Sequence, residues 1–186
     1  MKPCARHPLG GLLLAALVLT LGAGACRSAT SPERKLPARE PFIALERDFQ
    51  GFEGWQRIEL GDRPPHGETH AGGEAVEYAN QLAPAGATVF PVGTILVKSV
   101  TKEAQKRDVF AMVKRGGGYN ANGSPGWEWF ELKGREDGSY GIKWRGINPP
   151  NNEGYSGDAA GGCNGCHQMA IKNDYVLAKG LNLSKT

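Results

Sequence analysis

Cys163, Cys166 and His167 fall in one short run, Cys163-Asn164-Gly165-Cys166-His167, close to the C-terminal end of the chain. Two thiols three residues apart on one helical turn reach the two vinyl groups on one edge of a porphyrin. The adjacent histidine then turns its imidazole to the iron as an axial ligand. C-x-x-C-H is the attachment motif of c-type haem. One covalently attached haem c is therefore the expected cofactor, with Cys163 and Cys166 as its thioether positions and His167 as its metal ligand.

Three other uses of the same residues compete. A C-x-x-C redox pair needs a thioredoxin-like βαβ setting, and the chain has no such pattern. A zinc site needs a second Cys/His pair; His66 and His70 are far upstream and would leave His167 unexplained. A structural disulfide across three residues closes only a very small loop. The sixth iron position is open or is filled from upstream by Met112, His66 or His70, because Met169 is too near His167 to reach the opposite face of the ring. Met112 lies in an apolar run, where methionine is more often core filler. An open position binds a small ligand or does chemistry, whereas a six-coordinate haem usually passes electrons.

Haem of this type is attached outside the cytoplasm, and the N-terminus reads as an export signal. Lys2 and Arg6 precede an apolar run from Leu9 to Leu21, which is shorter than the ~20 residues that span a bilayer. Ala23-Gly24-Ala25-Cys26 then resembles a bacterial lipobox, although Ala23 stands where leucine is usual. Residues 1–25 are expected to be a signal peptide of the lipoprotein type, with Cys26 as the lipidated residue. Simple secretion by cutting after Ala25 is the alternative, but it leaves Cys26 as a lone exposed thiol. The expected location is periplasmic, anchored by lipid to the outer membrane, with no other membrane contact. Residues 26–41 carry Pro32, Pro37 and Pro41, lack aromatic residues and read as a flexible tether. Residues 42–186 form the folded domain.

The elements that must position the motif are strands. The chain has 186 residues with 22 Lys+Arg against 19 Asp+Glu, one domain's worth and too balanced for a nucleic-acid partner. With 27 Gly and 12 Pro, long loops are expected and a helical bundle is not. Thr94–Thr101, Asp108–Lys114 and Trp127–Lys133 are rich in β-branched and aromatic residues. Trp55–Leu60 and Tyr140–Trp144 are further strand candidates, the latter behind an Asp137-Gly138 hairpin turn, and Ala75–Asn80 is ambiguous. Cys163–Lys172 and the tail after Asp174 read as helical. The fold class is mainly β (α+β): an antiparallel sheet with a few short helices and a C-terminal haem-attachment helix. Lys98 sits mid-strand on the face of Leu96 and Val100, where a lysine needs a reason. An edge strand whose lysine reaches water is the plain one. Lys114 and Arg115 could meet haem propionates, but solvent is the expected surrounding. Gly116-Gly117-Gly118 is not followed by a phosphate-binding helix.

Four stretches together resemble the cytochrome P-460 family, which includes the cytochromes c′-beta. They are Phe90–Lys98, Met112–Arg115 leading to Gly118-Tyr119-Asn120, Gly126–Trp129, and Cys163–His167 with Asp174-Tyr175-Val176 behind it. Gly54-Trp55 and Tyr78–Asn80 match more loosely. The resemblance implies an antiparallel β protein, a homodimer, and one c-type haem with an open distal side. In the enzymatic branch a lysine is joined covalently to the porphyrin and hydroxylamine is oxidised, with nitric oxide handled along the way. By resemblance that lysine is Lys98, and the electrons leave to an electron-accepting cytochrome. A distal carboxylate of the enzymes aligns with Phe110. A pocket lined by Phe110 and Phe90 instead favours nitric oxide, which is nearly nonpolar, as in the c′-beta branch. For each phenylalanine alone, ordinary core packing is the simpler account.

Overall fold

The computed structural model describes residues 40–63, 73–101, 107–151, 153 and 162–185. The signal segment, Cys26, the tether up to residue 39, His66 and His70 lie outside the described residues. Six strands run β1 (Gln56–Arg63), β2 (Gly73–Ala79), β3 (Ile95–Thr101), β4 (Arg107–Lys114), β5 (Trp127–Gly134) and β6 (Tyr140–Gly146). They pair in sequence order as one antiparallel sheet. The fold is thus mainly β, as composition and patterning indicated. Among the described residues no helix is long and apolar enough to cross a membrane.

Each strand forms where the sequence offers stiff side chains between turn residues. In β3 the run Ile95-Leu96-Val97 is buried on both faces, and so are Ser99 and Val100. Between β5 and β6 the Asp137 carboxylate accepts from the Ser139 amide at 2.9 Å, and Gly138 takes a left-handed φ of 80°. Two strands are longer than their sequence indicates. β1 continues through Gly61, where the register slips against β2 after Glu59, and β2 starts at Gly73.

The sheet has a core on each side. On one face Phe49, Phe52, Val76, Tyr78, Val97, Phe130 and their neighbours are covered by short 3-10 turns at Glu46–Phe49 and Phe52–Gly54. On the other, Leu96, Met112, Trp127, Trp129 and Trp144 pack beneath Tyr175, Val176, Leu181 and Leu183 of the C-terminal segment. Full burial of one such large side chain stabilises by roughly 1.5–3 kcal/mol. The C-terminal segment is therefore fastened to the sheet along most of its length.

Helix α1 (Gly162–His167) opens that segment. Gly, Cys and Asn are poor helix formers, and so short a helix is not stable alone. A 3-10 run, Gln168–Asn173, follows it. The tail is not continuously helical as its sequence suggests. Asp174 and Tyr175 both take left-handed backbone angles, which stops the helix, and only 3-10 turns at Lys179–Leu181 and Leu183–Lys185 follow.

Candidate functional site

What holds α1 in place is Asn164, the first variable residue between the two cysteines. Its Oδ1 accepts from Asn120 Nδ2 at 2.8 Å, from Trp129 Nε1 at 2.9 Å and from the Ser124 amide at 3.2 Å. Its Nδ2 donates to Asn120 Oδ1 at 3.1 Å and to the Ile147 carbonyl at 3.0 Å. A side-chain amide has little more to give. A methyl group on Gly123 would overlap this amide, so the loop's approach requires glycine there.

Cys163 and Cys166 are half-buried and are not joined by a disulfide. Burial pushes the Cys163 thiol up to about 12. His167 keeps some open surface, yet burial holds its imidazole down to about 4, opposed by the hydrogen bond to Tyr175. That bond runs from Nδ1 to the Tyr175 carbonyl over 2.6 Å. A carbonyl oxygen only accepts, so Nδ1 carries the proton and Nε2 is left with its lone pair. The Trp129 indole lies beside the ring, 4.6 Å between centroids at 50°.

Tyr175 presents its carbonyl from an unusual turn. The left-handed angles of Asp174 (φ 51°) and Tyr175 (φ 68°) cost roughly 1–2 kcal/mol each for residues with a Cβ. Asp174 is held by Lys114, whose Nζ lies 2.7 Å from Oδ1, with both side chains buried. Lys114 does not face solvent, as its sequence context suggests. Burial pulls its ammonium down and Asp174 offsets part of that. Arg115 is likewise engaged, 3.2 Å from the buried Glu128.

Lys98 is half-buried in the middle of β3, an interior strand rather than an edge. Its ammonium is close enough to act on both site groups: it favours the Cys163 thiolate and disfavours the His167 imidazolium. Phe110 is its direct partner on β4 and packs against the same apolar cluster as Cys163. The structure thus brings Lys98, Phe110, Cys163 and His167 to one face.

Phe90 sits apart from that row. Its ring packs edge-on to Trp127 at 5.9 Å and its amide donates to Asp174 Oδ2 at 2.8 Å. Met112 is buried opposite Leu96 and Trp129, in the position of core filler.

Two carboxylates in the Lys98 row escape sequence reading. Glu77 is buried and is the direct partner of Lys98 from β2. Glu131 is the partner of Phe110 from β5 and accepts from Trp144 Nε1 at 2.8 Å and from Lys143 at 2.9 Å. Side-chain alternation places both on the face of Lys98 and Phe110. The face is therefore not lined by phenylalanine alone. Only strand register could have found these residues.

Among the described residues no group of three His, Cys, Asp or Glu side chains is placed to hold a metal ion by itself. The donor set instead offers two thiols one turn apart, not joined in a disulfide, and one imidazole nitrogen that keeps its lone pair. That set would fit a ring with two vinyl groups for the thiols and a metal that takes a nitrogen ligand. No family model, curated protein or solved structure matches the chain.

Proposed function

We propose that the chain is an exported c-type cytochrome resembling cytochrome P-460, oxidising hydroxylamine or a related small nitrogen compound. One haem c is held by Cys163 and Cys166, with His167 Nε2 on the iron and Lys98 joined to the porphyrin. The observation that carries this reading is the His167 Nδ1–Tyr175 carbonyl bond beside two cysteines that form no disulfide. It fixes the one tautomer in which Nε2 can ligate, and in metal sites such a second hydrogen bond also raises ligand basicity.

When bound, the haem supplies a redox-active iron with an open coordination position. The chain's own residues do the rest. Asn164 sets α1 against Trp129, and the Tyr175 carbonyl orients the imidazole. Phe110 and its apolar neighbours exclude water. Glu77 and Glu131 supply carboxylates on the same face that accept protons as the substrate loses electrons. Those electrons go to an electron-accepting cytochrome. By the same family resemblance the protein is a homodimer. Its N-terminal sequence supports a periplasmic, lipid-anchored location through Cys26.

A second reading is a nitric-oxide-binding protein without turnover, favoured by Phe110 beside Lys98. The visible spectrum of the chemically reduced, haem-loaded protein separates the two. A main band far to the red of an ordinary ferrous c-haem supports the Lys98 cross-link and hydroxylamine oxidation. An ordinary high-spin ferrous band removes the enzyme reading in favour of nitric oxide.

A further inference from the structure

Asp174 and Tyr175 are adjacent, non-glycine and both left-handed. Strain of this kind persists only where the surroundings over-determine it, and it gathers at functional positions. Here the surroundings are explicit. The Asp174 carboxylate accepts from Lys114 Nζ at 2.7 Å and from the Phe90 amide at 2.8 Å. Its carbonyl accepts from Trp127 Nε1 at 2.7 Å. The Tyr175 amide donates to the Ala170 carbonyl at 2.9 Å. Lys114 also donates to the Pro125 carbonyl at 3.0 Å and lies over the Trp127 ring at 4.9 Å. Two strand ends and the segment before β3 thus converge on one strained turn.

A buried ion pair is a costly way to fasten a chain, and apolar packing would serve stability as well or better. What this pair secures is direction. The turn aims the Tyr175 carbonyl at His167 Nδ1. We propose that Lys114 and Asp174 are positioning residues for His167. Through the strained Asp174–Tyr175 turn they keep the imidazole proton on Nδ1 and leave Nε2 unprotonated as a ligand. The consequence for an iron ligand rests on the haem reading above; the placement of the proton belongs to the chain itself.

The test uses the full chain, produced with and without c-type haem maturation. In the haem-free chain, nitrogen-15 spectra of His167 should show a protonated Nδ1, an unprotonated Nε2 and a slowly exchanging Nδ1 proton. Asp174→Asn and Lys114→Met should each speed that exchange about fivefold, the factor one net hydrogen bond is worth. Lys114→Arg, which keeps the cation, should restore most of the protection. In the haem-loaded ferrous protein the same two variants should lower the iron–histidine stretching frequency. A proton on Nε2 in the unaltered chain overturns the proposal even if no variant folds. So does unchanged Nδ1 exchange in variants whose near-ultraviolet circular dichroism is native. A chain that takes no haem but shows the expected Nδ1 behaviour overturns the cytochrome reading and upholds the positioning role.

Discussion

Glu77 and Lys98 are direct cross-strand partners in adjacent interior strands, on the face that carries Cys163 and His167. Phe110 follows on the other side of Lys98, then Glu131 and Trp144, so one row crosses the sheet from acid to base to aromatic to acid. A lysine so placed has a carboxylate beside it and a thiol and an imidazole within reach of its charge.

Removing either member of the pair should be felt. Opposed charges across two strands contribute roughly 0.2–1 kcal/mol. Glu77→Gln is expected to lower unfolding stability by about 1 kcal/mol in urea. Lys98→Ala is expected to return a red-shifted ferrous spectrum to that of an ordinary c-haem. A red-shifted band that survives in Lys98→Ala would remove Lys98 from the porphyrin.

Asn164 is expected to matter more than its place as a variable residue of C-x-x-C-H suggests. Truncation to alanine strands Trp129 Nε1 and the amide of the buried Ser124. Leaving buried partners unsatisfied should cost about 2–3 kcal/mol. Gly123→Ala, which crowds the same amide, should act in the same direction. Urea midpoints identical to the parent protein would show that α1 is held by something else.

Alkaline stability should report Tyr140, whose hydroxyl donates to Glu53 at 2.8 Å. Burial, then that bond, raises its pKa from 10.0 to about 12. The folded protein thus holds the phenolic proton better than the unfolded chain. Its contribution is fully present below pH 10 and is lost as pH rises through about 12. Tyr140→Phe should flatten the fall in melting temperature across that window. An equally steep fall in the variant would place the alkaline transition elsewhere.

Met112→Leu should leave the spin state of the loaded protein unchanged and cost less than about 1.5 kcal/mol, as volume-conserving core swaps do. Met112 is packed between Leu96 and Trp129 rather than offered to a ligand position. A change from low to high spin would instead make it the sixth ligand and the protein an electron carrier.

The strands β3 to β6 were legible because β-branched and aromatic runs and the Asp137-Gly138 turn are local signals. Lys114 was not, because its partner Asp174 is 60 residues away and nothing near Lys114 announces burial. The two cysteines and His167 could be read as a motif. The Tyr175 carbonyl could not, since a backbone oxygen leaves no mark in sequence. Glu77 and Glu131 become visible only once register aligns them with Lys98 and Phe110. The helical reading of the tail failed at Asp174 and Tyr175, where long-range hydrogen bonds hold angles that neither residue prefers.

Covalent haem at Cys163 and Cys166 is what the cytochrome function requires. The direct measurement is haem staining of the protein on a denaturing gel after production with c-type maturation machinery. The expected result is a stained band for the unaltered chain and none for the Cys163→Ala, Cys166→Ala double variant. An unstained band for the unaltered chain would contradict a c-type cytochrome.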